Sequence, residues 1–135
     1  MKKIATRVAL VFTAILMSFA IASPAMAADN EMKTDDGDPG GRVQVSWYGD
    51  IVTICDIEAD GWGVYLSVTD VSQNLFKYSF WVGGNGNCAT NRASEGGSHN
   101  LAEGNYFEFK ICLRKANEGG TTLSYCDYAT WKNYQ

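Results

Sequence analysis

The sequence predicts an all-β fold, an antiparallel β-sandwich or small barrel of about seven to eight strands with two disulfides. Short segments of alternating apolar and polar residues follow one another through residues 42–135, separated by turn-forming Gly, Asn and Asp. None of these segments shows sustained helical periodicity. All four cysteines lie in the same region, after an N-terminal segment typical of exported proteins.

Residues 1–27 are predicted to be a signal peptide. An apolar run covers residues 8–21, and Ala25-Met26-Ala27 has the small-x-small pattern that signal peptidase accepts. The apolar run is shorter than a transmembrane helix needs, and no cysteine stands at the cleavage point for a lipid anchor. We therefore expect a secreted, extracellular protein that has no contact with the membrane after cleavage. The basic start that such signals need comes from Lys2, Lys3 and Arg7.

Residues 28–41 are expected to form a disordered acidic leader, and residues 42–135 a single β domain. The leader has five carboxylates, ends in Pro39-Gly40-Gly41 and has almost nothing apolar to bury. Without the basic signal residues, the exported chain is more acidic than the net charge of −4 of the whole sequence. Nucleic acids attract clustered Lys and Arg, so we expect this acidic chain to have no nucleic-acid partner. We also expect a monomer.

The predicted strands are the segments in which the alternation of apolar and polar residues, or a run of β-branched residues, is clear. They are residues 43–48, 51–55, 64–69, 76–82, 107–114 and 121–131. Asp60-Gly61 lies between two of them and is a common hairpin turn pair. A long Gly-, Asn- and Ser-rich loop is predicted for residues 83–100.

The four cysteines are expected to form two disulfides. A zinc site would favour short spacings such as C-x-x-C, and the sequence has none. In a hairpin centred on Gly119, Cys112 lies opposite Cys126, which leaves Cys55 to pair with Cys88. The same register places an acidic residue opposite Ile111, so a bulge or a slipped register is possible. Sequence alone still allows three connectivities.

No coherent catalytic site is visible in the sequence. His99 is the single histidine and follows Ser98 directly in a predicted loop, and no G-x-S-x-G motif is present. Pairs of carboxylates could be chosen from Glu95, Glu103 and Glu108, but a domain of this size rarely builds a deep catalytic cleft. We expect a protein that is not an enzyme and that needs no cofactor.

Asp56, Glu58 and Asp60 are weak candidates for calcium ligands, because they alternate along the chain and Gly61 follows them. The position at which an EF-hand has its bidentate Glu is Ser67, and no helices flank the segment. A hairpin turn alone also explains the pattern, so no metal site is predicted.

The aromatic residues are the strongest indication of function. Tyr48, Tyr65 and Trp81 fall on the side of their strands opposite the main apolar face, and Trp62 lies in a turn between two glycines. Exposed aromatic rings can stack on sugars or anchor a protein partner, although a two-layer fold could also bury them. These four residues are the predicted ligand contacts of a secreted, non-catalytic binding domain for a polysaccharide or a protein. The alternative is a secreted inhibitor or toxin that acts through the loop 83–100.

Several short segments resemble a pattern found in small exported two-disulfide β proteins of actinobacteria. They are Val52-Thr53-Ile54-Cys55-Asp56, Ala59-Asp60-Gly61-Trp62-Gly63-Val64, Glu103-Gly104, Phe107-Glu108-Phe109-Lys110-Ile111-Cys112 and Ser124-Tyr125-Cys126. The resemblance covers most of residues 42–131. That group has no defined function, so the resemblance implies a fold and an exported location but no catalytic residues.

Overall fold

The structure is a computed structural model that describes residues 27–117 and 120–135, and it is a sandwich of two four-stranded antiparallel sheets. Sheet A has the order β1-β2-β3-β6, with strands β1 Asn30–Lys33, β2 Gly41–Ser46, β3 Ile51–Asp56 and β6 Cys88–Asn91. Sheet B has the order β5-β4-β7-β8, with strands β4 Gly63–Asp70, β5 Leu75–Gly83, β7 Tyr106–Asn117 and β8 Gly120–Lys132. The predicted fold class is confirmed. The predicted signal peptide lies outside the described residues, except for Ala27.

The core lies between the inward faces of the two sheets. The period-two alternation along each strand sends one set of side chains inward and the other to solvent. Phe107 and Phe109 of β7 are fully buried, and Trp47 packs against both with ring centroids 6.3 and 6.1 Å away. The core also takes in aliphatic side chains from both sheets, among them Val43, Val45, Val52, Ile54, Val64, Leu66, Val68 and Ile111.

Both predicted disulfides are present, and each joins neighbouring strands. Cys55–Cys88 links β3 to β6, and Cys112–Cys126 links β7 to β8. The predicted irregularity of the last hairpin is also found. Ile111 pairs with Asp127, and the register shifts by one residue before Leu113. Tyr125 takes a positive φ of 52° at this bulge, and the bulge thereby reconciles the register near the hairpin tip with the register of the remaining hairpin.

The expectation of a disordered leader over residues 28–41 is wrong for its central part. Residues 30–33 form β1, which pairs with β2 along its whole length, and Met32 is buried in the core. Asp29 anchors the beginning of this segment, because its Oδ2 accepts the backbone N–H of Trp47 at 2.7 Å. The folded domain therefore begins before Arg42, with an edge strand that buries a single apolar side chain.

The predicted loop 83–100 also contains more structure than expected. It includes β6 and two short 3₁₀ turns, Ala93–Glu95 and Gly97–His99. Within the described part of the chain, no helix has the length and apolar character needed to cross a membrane.

The two ends of the sandwich differ. At one end, called here the groove end, lie the β3–β4 loop (57–62), the β5–β6 loop (84–87) and the adjoining ends of β7 and β8. The opposite end contains the β2–β3 turn (47–50) and the C-terminal residues.

Buried Asp50 holds the opposite end together. Its Oδ2 accepts the backbone N–H of Leu101 at 2.8 Å, and its Oδ1 accepts the side-chain amide of Asn133 at 3.1 Å. The same amide of Asn133 also donates to the carbonyl of Leu101 at 2.9 Å. Burial raises the pKa of Asp50, and these hydrogen bonds oppose that shift. One carboxylate thus ties the β2–β3 turn, the segment before β7 and the C-terminal residues to one another.

Replacing Asp50 is expected to destabilise the fold. Asp50→Ala leaves the backbone N–H of Leu101 and one N–H of the Asn133 amide without an acceptor. The free energy of unfolding should therefore fall by about 2–3 kcal/mol in urea denaturation. Glu103→Ala is the control, because this exposed carboxylate lines the same end and should change stability by no more than about 0.5 kcal/mol. Equal losses for the two variants would contradict the role assigned to Asp50.

Candidate functional site

An open cavity of about 500 Å³ lies at the groove end, and we call it the groove. Its floor is the backbone of the cross-strand pair Gly63 and Gly83. A Cβ on Gly63 would lie 2.6 Å from the carbonyl oxygen of Val82, so the close approach of β4 and β5 requires glycine there. The side chains and loop residues that line the groove include Asp56, Glu58, Trp62, Trp81, Asn85 and Arg114.

Trp81 forms one wall of the groove together with Arg114. The Trp81 side chain is 55% exposed on the outer face of sheet B, and the Arg114 guanidinium carbon lies 4.1 Å from its ring centroid. Arg114 also donates a hydrogen bond to the hydroxyl of Thr121 at 3.3 Å. Tyr65 is the cross-strand neighbour of Trp81 and is half-buried. The outer face of sheet B thus presents two adjacent aromatic rings and a positioned cation at the groove.

Trp62 also lines the groove and is held by contacts with neighbouring surface residues. Its backbone N–H donates to Asp60 Oδ1 at 2.8 Å, in a turn where Gly61 takes a positive φ of 77°. Its half-buried ring meets Tyr125 edge-on at 6.4 Å, and Lys115 Nζ lies 5.2 Å from the ring centroid. Trp62 is therefore positioned at the surface, outside the buried core cluster.

Of the four predicted aromatic contacts, the structure brings three to one end of the molecule. Trp62 and Trp81 both line the groove, and Tyr65 is adjacent to Trp81. Tyr48 is 73% exposed in the β2–β3 turn. The six-residue strand β3 separates this turn from the groove end by about 20 Å. The structure therefore does not bring Tyr48 together with the other three, because alternation predicts which face a side chain occupies but not which end.

The calcium candidates are only partly brought together. Ligand oxygens of Glu58 and Asp60 lie within 4.8 Å of each other and of an oxygen of Asp36. The oxygens of Asp36 accept hydrogen bonds from the hydroxyl of Thr34 at 2.8 Å and from the backbone N–H of Gly40 at 3.0 Å. Asp60 Oδ1 accepts the backbone N–H of Trp62 at 2.8 Å. These bonds give the carboxylates a role in shaping the loops.

Glu58 is the carboxylate most affected by its neighbours. Its pKa is raised, first by desolvation and then by the negative charges around it, among them Asp38, Asp60 and Asp36. The loops beside the groove therefore form an acidic rim, whereas the wall formed by Trp81 and Arg114 is basic and aromatic.

Asp56 differs from the other calcium candidates because it points into the protein. It is 1% exposed, and its Oδ1 accepts the backbone N–H of Glu58 at 3.4 Å. Its Oδ2 is buried without a hydrogen-bond partner among the described residues. Burial raises the pKa of Asp56. The burial of Asp56 could have been predicted from the alternation of β3, because Asp56 follows Val52 and Ile54 at every second position, and both of these side chains point inward.

No protein-family model matches the chain, and neither the curated proteins nor the solved structures contain a significant match. The molecule is therefore defined by its own features, as a small all-β protein with two disulfides. The two disulfides indicate an oxidising compartment.

Replacing Asp56 by asparagine is expected to stabilise the protein near neutral pH. A carboxyl group whose pKa is raised by folding destabilises the folded state when it is ionised, and this cost is relieved as the pH falls through the raised pKa. Asp56→Asn should therefore raise the free energy of unfolding by about 1 kcal/mol at pH 7. The difference from wild type should shrink towards about pH 3.5, where the wild-type carboxyl is protonated in the folded state.

The matched control is Asp38→Asn, because Asp38 is exposed near the same loops. Urea denaturation of all three proteins at both pH values provides the comparison. A destabilised Asp56→Asn variant at pH 7 would show that the charge of Asp56 is compensated in the folded protein.

Proposed function

We propose that this protein is an exported, non-catalytic polysaccharide-binding domain that acts through the outer face of sheet B and the groove. The observation that carries the proposal is the position of Trp81 and Tyr65, which lie side by side on an outer sheet face next to Trp62. No described helix or strand covers this face. Aromatic rings in such a place offer flat apolar surfaces on which sugar rings stack.

The groove also supports the proposal, because charged side chains that can hydrogen-bond a ligand line it. Glu58 supplies a carboxylate that accepts hydrogen bonds, and Arg114 supplies a guanidinium that donates them. The glycine floor also allows a ligand to approach the backbone closely. Hydrogen-bonding groups beside aromatic rings are what a polyhydroxylated ligand requires.

Export is part of the proposal. It rests on the predicted signal peptide of residues 1–27, on the two disulfides and on the resemblance to small exported actinobacterial proteins. A secreted domain meets polysaccharides of cell surfaces and extracellular matrices directly.

The surroundings of His99 favour a binding role over catalysis. Its Nδ1 lies 3.8 Å from Glu95 Oε2, and its ring packs 4.8 Å from the ring of Tyr78. His99 does not line the groove, and Ser98 is exposed in the same turn. Neither side chain adjoins the aromatic residues of the proposed site.

The alternative, an inhibitor or toxin acting through residues 83–100, has less support. Gly84 and Asn85 line the groove, and the disulfide joins Cys88 to β3. The 3₁₀ turn Gly97–His99 instead packs against β5 through a tilted contact between the rings of His99 and Tyr78. The segment is thus divided between a groove border, a strand and a packed turn, and does not present one continuous surface.

Removing the groove aromatics is expected to weaken binding without unfolding the domain. Trp81→Ala and Trp62→Ala should each weaken binding of the exported chain to its polysaccharide about 30-fold, the loss typical of a central aromatic contact. Their stability should change by about 1 kcal/mol or less, because both rings lie outside the core. Binding is measured by pull-down on insoluble cellulose, chitin and cell wall, and stability by urea denaturation.

Tyr48→Ala is the matched control, since it removes a more exposed aromatic ring from the opposite end. It should bind as the wild type does. A wild-type chain that ignores all polysaccharides but blocks a protease or an amylase would establish the inhibitor alternative instead.

A further inference from the structure

The outer face of sheet B carries three pairs of a cation and an aromatic ring. Lys132 Nζ lies 5.7 Å from the ring centroid of Tyr106, and Lys110 Nζ lies 5.3 Å from that of Tyr128. The third pair is that of Arg114 and Trp81, described above. Each distance falls within the range in which the ring attracts the cation. We call these three pairs the basic aromatic row.

The row is regular because all three pairs are anchored on β7. Tyr106, Lys110 and Arg114 follow one another at intervals of four residues and therefore share one face of the strand. Successive anchors lie about 13 Å apart, so the row extends over about 27 Å. Direct strand pairing joins Tyr106 to Lys132 and Lys110 to Tyr128.

The third pair lies beside the glycine floor of the groove. Arg114 pairs across the sheet with Gly63, which in turn pairs with Gly83. Gly83 adjoins the Trp81 ring, because a Cβ at this position would be in ordinary contact with the ring at 3.5 Å. The end of the row thus reaches the groove.

The cations of the row are not neutralised by carboxylates. Among the described residues, the only ion pair joins His99 to Glu95, away from this face. Glu108 is the one carboxylate that strand alternation places on the outer face beside the row. An aromatic ring positions a cation without cancelling its charge, so the row remains positive.

The charge of the row contrasts with the remaining molecule. The full chain has 15 acidic and 11 basic residues, and three of the basic residues belong to the predicted signal peptide. Many of the carboxylates lie in the loops at the two ends of the sandwich, such as Asp36, Glu58 and Asp60 at the groove and Asp50 and Glu103 at the opposite end. Lys110 and Arg114 of β7 and Lys132 of β8 are therefore grouped on one face.

We infer that the ligand of this face is an anionic polysaccharide whose sugar rings carry carboxylates, an inference that rests on the proposed polysaccharide-binding function. An extended polymer matches a row of about 27 Å better than a compact ligand does. Sugar rings stack on Tyr106, Tyr128 and Trp81, while Lys110, Arg114 and Lys132 form charge-assisted hydrogen bonds with the carboxylates.

The experiment compares two polymers with the same sugar backbone, one with free carboxylates and one with these carboxylates esterified. Polygalacturonate carries a carboxylate on each sugar, and its fully methyl-esterified form is neutral. The exported chain should bind the charged polymer about tenfold more tightly at low salt, and this advantage should be lost between roughly 50 and 500 mM NaCl, where screening becomes strong.

Two charge-removing variants locate the effect. Lys110→Gln and Arg114→Gln should each weaken binding to the charged polymer by roughly threefold or more, and by a larger factor than they weaken binding to the ester. Lys33→Gln removes an exposed cation from sheet A and should bind like the wild type. Urea denaturation checks folding, and Lys110→Gln keeps the test valid if Arg114→Gln destabilises the hairpin.

The outcomes separate the inference from the proposed function. One outcome is equal binding to both polymers without salt dependence, and another is binding to neutral polysaccharides alone. Either result overturns the inference of an anionic ligand but leaves the proposed polysaccharide binding in place. Failure to bind any polysaccharide overturns both. Tighter binding to a single-stranded polynucleotide than to polygalacturonate overturns the inference as well, because it assigns the row to a phosphate backbone.

Discussion

Burial of the inward faces of two sheets is the constraint on which the structure depends. Phe107, Phe109 and Ile111 occupy alternate positions of β7, so the side chains at the intervening positions lie on the outer face of sheet B. The residues that fill those positions include Tyr106, Lys110 and Arg114. The same period of two that builds the core thus lines up the cations and rings of the outer face. Truncating a core ring such as Phe109 would cost about 3–5 kcal/mol, which holds β7 firmly in this register.

Local backbone features then set the details of the outer face. The bulge at Tyr125 allows Cys126 to reach Cys112 although the hairpin tip has a different register from the remaining hairpin. The glycine pair Gly63 and Gly83 lines the groove beside Trp81 and Arg114. Both features lie outside the buried core cluster, but the close approach at Gly63 and the disulfide still limit which substitutions the outer face accepts.

Much of the fold could be predicted from the sequence, because alternation and turn residues act locally. The pairing of Cys112 with Cys126 followed from the position of the turn. The exposure of Trp81 followed from the alternation of inward and outward side chains along β5. The missed strand β1 contains one buried apolar residue, Met32, so its stability comes from pairing with β2 and leaves almost no periodic pattern. The separation of Tyr48 from the other three aromatic candidates could not be predicted, because the position of a turn along the sandwich depends on the tertiary fold. The approach of Asp36 to Glu58 joins two distant segments and has no local pattern at all.

The acidic composition of the chain and its basic aromatic row are compatible for a physical reason. Net charge governs the field far from a protein, but salt at about 0.15 M screens charges beyond about 8 Å. A ligand in contact with β7 therefore experiences Lys110 and Arg114 far more strongly than the carboxylates at the two ends of the sandwich. At low salt, where screening is weak, the acidic loops repel anions that approach from a distance. If the proposed function holds, only an anionic polymer that makes several ring and charge contacts at once overcomes this repulsion, and the negative net charge then acts against anionic ligands elsewhere on the surface.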